Sequence, residues 1–210
     1  MQPYVVREGD HLSVIAHKLG FDADAVWNDS KNADLQKLRG SPNILCAGDI
    51  LYVPDPKKQW VPLTVGALNP FVAPVPTVKL SLGFSQNGKP LANVKCVVHG
   101  LPAPNQFSTD GDGKLALSVP VTLQMVTVEF PDVPMVRRVK IGHLDPVSEP
   151  SGVLQRLQNL GYVSPRTGAD LTDPAAMAGP VTAFQKARGL AITGKLDDDT
   201  RNALRQAHGC

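Results

Sequence analysis

The side chains able to do chemistry are five histidines (His11, His17, His99, His143 and His208), three cysteines (Cys46, Cys96 and Cys210) and 19 acidic residues. A zinc hydrolase needs histidines and a carboxylate converging on one ion. The chain has no His-x-His and no His-Glu-x-x-His. A cysteine nucleophile needs a thiolate beside a histidine at a helix start. Cys46 precedes a strand-like run, Cys96 lies within one, and Cys210 is the last residue, with His208 too close in the chain for an organised dyad. Cys-x-x-Cys, Ser-x-x-Lys and Gly-x-Ser-x-Gly are all absent. Glu8, Glu129 and Glu149 fall in turns, strands or joints rather than in a carboxylate pair suited to glycosidic cleavage. Asp110-Gly111-Asp112-Gly113 alternates acids as part of a calcium loop does, but lacks the later Asp and the closing Glu. A β-turn accounts for it. The expectation is a chain with no metal, no cofactor and no catalytic site, hence not an enzyme.

Composition narrows the partners. Net charge is +2, with acids and bases interspersed, whereas a nucleic-acid footprint gathers basic residues on one face. The strongest basic run, Arg137-Arg138-Val139-Lys140, reads as a strand. No apolar run is long enough to cross a membrane. Neither nucleic acid nor membrane insertion is expected. The odd cysteine count argues against a secreted disulfide framework. Prolines number 19 and cluster between residues 54 and 76 and from 102 to 134. Sparse aromatics and clustered prolines favour several small modules joined by extended segments. Met1-Gln2-Pro3-Tyr4 carries no basic or apolar leader.

Residues 1–56 read as strand, helix, helix, strand. Tyr4-Val5-Val6-Arg7 is a short strand closed by Glu8-Gly9-Asp10. Leu12, Ile15, Ala16 and Leu19 then recur on one helical face, with Asp10 or His11 starting the helix and Gly20 ending it. A second helix follows Asp22 and carries Ala25, Val26 and Trp27, the last expected in the core. Asn32 to Leu38 reads as a further helix with Leu35 and Leu38 inward, ended by Gly40. Ile50-Leu51-Tyr52-Val53 is the closing strand, stopped by Pro54. The opening run Tyr4 to Ala16 and the closing Gly48-Asp49-Ile50-Leu51-Tyr52-Val53-Pro54 resemble the two ends of a LysM domain. The chain departs from that family in having Ala47-Gly48 where Pro-Gly is common, and in a longer stretch from Asn32 to Pro42. The resemblance implies a shallow groove for N-acetylglucosamine-containing glycans. Its walls would be Gly9, Asp10, His11 and Leu12 on one side and Asn43, Ile44, Leu45 and Cys46 on the other.

Residues 57–77 read as a proline-rich linker, with Trp60, Val61 and Leu63 apolar enough to pack on a neighbour. From 78 to 147 the period changes to two. Val78 to Leu82, Ala92 to Val98, Leu115 to Val119, Val121 to Phe130 and Val136 to Ile141 alternate as half-buried strands, separated by turns such as Asn87-Gly88. This is an antiparallel β-sandwich pattern. The stretches Asn87 to Val94 and Ser108 to Leu115 resemble the small carboxypeptidase-regulatory or transthyretin-like sandwich.

Residues 148–210 return to helical spacing. Val153, Leu157 and Leu160 share one face, ended by Gly161. Asp173-Pro174 opens a second helix lined by Met177, Val181 and Phe184. Pro180, inside it, is expected to kink or split it. Asp197 or Asp198 caps a third helix with Ala203, Leu204 and Ala207. Leu154 to Tyr162, Phe184 to Asp197 and Thr200 to Leu204 resemble the three-helix peptidoglycan-binding domain. Ser164 to Asp170 replaces that family's usual Asp-Gly-rich loop.

The expected fold class is thus α+β multidomain: a βααβ module, a small antiparallel β-sandwich and a three-helix bundle. The expected function is non-catalytic binding of peptidoglycan glycan by the two end modules. A second expectation is a structural or adaptor accessory of a type VI secretion or phage-tail-like contractile injection machine, with the sandwich contacting a spike or effector protein. A cell-wall hydrolase is the weakest alternative. The expected setting is the bacterial cytoplasm, with action there on a protein assembly or in the cell envelope after non-classical delivery.

Overall fold

A computed structural model describes residues 1–56, 61–70, 74–86, 89–102, 105–163 and 173–209. The fold is α+β and multidomain. The chain forms two compact units, Met1–His143 and Leu144–Cys210, so the division falls four residues before the sequence boundary at 147/148. Asn87-Gly88, Trp60, Ser164 to Asp170 and Cys210, each singled out above, lie outside the described residues.

The first unit holds two apolar cores. The first lies under a helical layer. Strands β1 (Gln2–Val5) and β2 (Ile50–Val53) pair antiparallel, with Gln2 opposite Val53 and Val5 opposite Ile50. Between them run α1 (Leu12–Leu19), α2 (Ala23–Trp27), a 3-10 turn over Ser30–Asn32 and α3 (Ala33–Arg39). Leu12, Ile15, Val26, Trp27, Leu51 and Val53 fill this core. The helical periodicity overreaches at two positions: Leu19 is 40% and Leu38 61% exposed. Each sits in the last turn of its helix, just before the left-handed caps Gly20 and Gly40, where the chain turns away from the core. The first strand ends at Val5, because Val6 bonds across to the loop instead: its N–H donates to the Asp49 carbonyl and its carbonyl accepts from Gly48.

The second core lies between two sheets. One sheet is the antiparallel pair β3 (Thr77–Gly83) and β8 (Lys114–Pro120). The other has four strands in the order β10 (Met135–Lys140), β9 (Met125–Phe130), β6 (Lys95–His99), β7 (Gln106–Ser108). Short strands β4 (Ser85–Gln86) and β5 (Lys89–Pro90) pair beside them. Alternation places Cys96 and Val98, Leu115, Leu117 and Val119, and Val126, Val128 and Phe130 inward. Two strands start later than alternation suggests. Asn93 takes a left-handed φ of 56°, so β6 begins at Lys95. Leu123 donates back to the Pro120 carbonyl, so Val121 to Gln124 is a turn and β9 begins at Met125. Asp110 Oδ1 accepts from the backbone N–H of both Asp112 and Lys114, closing that loop as a turn.

The second unit packs α4 (Pro150–Asn159), α5 (Pro174–Ala187) and α6 (Asp198–His208) around Val153, Leu157, Met177, Val181, Phe184 and Leu204. Proline at the first position of α4 and α5 fits the N-terminal turn, where its missing N–H has no partner to lose. Asp173 and Asp197 cap α5 and α6 by accepting from Ala175 and Thr200. Pro180 does not split α5, which runs unbroken through it. Met177, Val181 and Phe184 are at most 2% exposed, and their burial outweighs one lost backbone bond.

Candidate functional site

In the first unit the two loops named from sequence do come together. Leu12 N–H donates to the Pro42 carbonyl at 3.0 Å. Ser13 Oγ donates to Asn43 Oδ1 at 2.9 Å, tying the start of α1 to the loop before β2. That second loop is held from behind. Arg39 clamps Asp49, and Asp49 Oδ2 accepts from Cys46 N–H at 2.9 Å.

The two loops divide sharply by exposure. Asn43 is exposed, and Gly9, Ile44 and Cys46 are half-buried. Asp10, His11, Leu12 and Leu45, expected along a groove, are buried. Leu12 and Leu45 belong to the core. Asp10 serves the fold: its carboxylate accepts from the Tyr4 hydroxyl at 2.7 Å, Arg7 N–H at 3.1 Å and Lys18 Nζ at 3.2 Å. Burial works to raise its pKa, but the Tyr4, Arg7 and Lys18 donors together hold it below the usual carboxylate range. The Tyr4 hydroxyl is pushed up in turn by burial and by that carboxylate.

His11 is the N-cap of α1 but makes no side-chain capping bond. Its ring is 5% exposed, and Nδ1 has no hydrogen-bond partner. Burial lowers its pKa, against opposing pulls from Asn43, Asp10 and the Val121 backbone. Burial thus disfavours the protonated ring.

What covers His11 comes from the β-module. A cleft of about 120 Å³ lies where Gly9, His11 and Lys18 meet Val121, Gln124 and Ile141. Sequence reasoning missed this meeting entirely. More than a hundred residues separate its two sides, and no local pattern reports such a contact. Tyr4, Ser13, Arg39 and Asp49 were missed although their partners are only 6 to 30 residues away, because no spacing rule marks a side-chain tie between loops; Asp10 and Asp49 beside turn glycines were a faint signal. Among the described residues, no group of three or more His, Cys, Asp or Glu is placed to hold a metal, and no helix is long and apolar enough to cross a membrane. Burial raises the Cys96 thiol pKa, which makes it a poor nucleophile.

In the second unit the organising side chain is Gln185, which is fully buried. Its amide nitrogen lies 2.9 to 3.1 Å from Thr193 Oγ1, the Lys195 carbonyl and Thr200 Oγ1, three acceptors that share its two N–H donors. Its oxygen accepts from Thr193 and Gly194 N–H at 3.0 and 2.9 Å. One side chain of α5 thus shapes the 193–195 turn and anchors the start of α6. Asp197, held below its usual pKa first by the Thr200 hydroxyl, completes that turn through Thr193 Oγ1. Tyr162 meets Phe184 edge to face at 5.4 Å, and the Arg188 guanidinium lies 5.8 Å from the Phe184 ring centre.

Residues 153–204 match the family described as "Putative peptidoglycan binding domain". The match runs from within α4 to within α6 and includes Gln185 and the Asp197 cap. The peptidoglycan-binding domain supports peptidoglycan as a partner in general terms. No curated protein and no solved structure matches the chain.

Proposed function

We propose that the protein is a non-catalytic peptidoglycan binder whose C-terminal domain makes the principal contact with the wall. The observation that carries this is the family match over residues 153–204. The first module adds a second contact, to N-acetylglucosamine-containing glycan. Supporting that addition are its resemblance to a LysM domain at both ends, the antiparallel pairing of β1 with β2, and the tie between its two loops through Ser13 and Asn43. Asn43, Ile44 and Cys46 then offer a ligand one amide and two apolar contacts. Individually weak sugar contacts on one polymer strengthen each other through effective concentration. The β-module carries no chemistry and acts as a spacer. A non-enzymatic role is favoured by the scatter of the histidines and cysteines over the chain.

Co-sedimentation with purified sacculi tests this reading. The full chain pellets with the sacculi, and a chain ending at His143 loses most of that binding. A full chain that stays in the supernatant overturns the proposal. Soluble muropeptides released during the same incubation would show a hydrolase instead.

A further inference from the structure

The β1–α1 loop is where the LysM reading places half of a sugar groove, yet the β-module is seated on it. Gly142, two residues past the end of β10, packs so closely on Gly9 that a Cβ there would come within 2.8 Å of the Gly9 carbonyl and 3.0 Å of the His11 ring. The reciprocal position is as tight: a Cβ on Gly9 would meet the His143 ring at 3.2 Å. Both glycines are left-handed, with φ of +80° and +79°. Two left-handed glycines face each other across the seam, which suits a built contact better than a casual one. His11 is sealed beneath with Nδ1 unpartnered.

We propose that this seam is an acid-released clasp that closes the β1–α1 loop to glycan at neutral pH and frees it when His11 takes up a proton. The proposal rests on the glycan-binding reading of the first module for its consequence, but not for its mechanism. A protonated His11 has two donors, and in the closed seam Nδ1 finds no acceptor. The charged groups facing it from its own module are Asp10 and Lys18, with Glu8 above. Asp10 is already committed to Tyr4, Arg7 and Lys18. From the β-module, Val121 to Gln124 and Ile141 bring no titratable group, and the Val121 backbone, which favours the protonated ring, is outweighed by burial. His143 does, but it lies 3.6 Å from Glu8, which is 86% exposed, so screening by water leaves that pair a minor opposing influence. The sign follows. His11 has a lower pKa in the closed seam than its ordinary 6.5, so closure is fully favoured above that value and weakens as pH falls below it.

Nuclear magnetic resonance on the full chain tests this. Cross-peaks between the Gly9 α-protons and the His143 ring are expected at pH 7.5 and lost by pH 5.0, while core signals of Leu51 and Val98 persist. His11→Gln, which cannot charge, keeps the cross-peaks at pH 5.0. Gly142→Ala loses them at pH 7.5, and binds sacculi about fivefold more tightly than the wild type at that pH, as expected when the competent state goes from a minority to the majority. Cross-peaks that survive at pH 5.0 in the wild type, or vanish equally in His11→Gln, overturn the clasp. A clasp that opens as described with sacculus affinity unchanged upholds the switch and instead overturns glycan binding by the first module.

Discussion

Arg39 and Asp49 meet in a two-point ion pair, Nε to Oδ2 at 2.9 Å and Nη2 to Oδ1 at 2.7 Å, with both side chains 7% exposed. This is the fork-on-carboxylate geometry that only arginine supplies. The pair joins the end of α3 to the start of β2. Arg39→Met leaves a buried carboxylate with only the Cys46 N–H for compensation. We expect a loss of about 3–5 kcal/mol, read as a lowered first transition in calorimetry of the full chain. Arg39→Lys recovers only part of it.

Asn32, fully buried, bridges layers that are far apart in sequence. Its amide donates to the Val26 and Tyr52 carbonyls and its oxygen accepts from Tyr52 N–H, all within 2.9 Å. Asn32→Leu removes these bonds, strands the Tyr52 N–H and carbonyl, and leaves the Val26 carbonyl only its backbone donors. The expected cost is about 2–4 kcal/mol. Faster amide exchange at Tyr52, with the 125–130 strand unaffected, would place the damage in the first core. Unchanged exchange at Tyr52 would count against this role.

Gln185→Leu keeps the volume of the C-terminal core but strips the amide's hydrogen bonds from the 193–195 turn and α6. Gly194 N–H then loses its acceptor, and Thr193 N–H keeps only the Ala191 carbonyl. The domain should lose about 2–4 kcal/mol and bind sacculi more weakly, because the turn is no longer shaped. Full retention of stability would show that the network is incidental.

His208 gives the C-terminal domain its own pH response. Burial, reinforced by the Arg156 charge, lowers its pKa to about 4, while Asn159 Nδ2 lies 2.9 Å from Nε2. The folded-state pKa is below the ordinary 6.5, so the stabilisation is complete above that value and is lost as pH falls from 6.5 towards 4. Thermal unfolding of the second unit followed against pH should show this decline. His208→Gln should flatten it. Below that range the depressed Asp197 carboxyl continues the fall in both proteins.

The parts of this fold that were legible in sequence are those written in local code. Asp173-Pro174 marked a helix start, Asp197 a cap, and alternation from Leu115 to Val119 a strand, and each depends on residues a few positions apart. Leu19 and Leu38 misled because periodicity cannot see where a layer ends. The candidate site was legible as two loops, since their turn residues are local, but not as a surface. Whether His11 faces water depends on Val121 and Gly142, and a spacing of over a hundred residues leaves no pattern. Buried polar residues such as Asn32 and Gln185 were equally silent, because their partners are mostly backbone groups with no sequence identity.

The start of the second unit has a mechanical consequence. A Cβ at Gly152 would overlap the Pro146 carbonyl, so the chain before α4 lies flat on the helix. It is fastened there by Arg156 donating to the Asp145 carbonyl at 2.7 Å, by Asp145 N–H on Gln155, and by Arg201 reaching the Val147 carbonyl. Tension applied along the chain from the N-terminal side therefore falls on α4 and α6 together, through side chains rooted in two helices, before any turn of α4 can peel. A domain anchored to a wall under strain would be loaded in shear across its core rather than unzipped from its end.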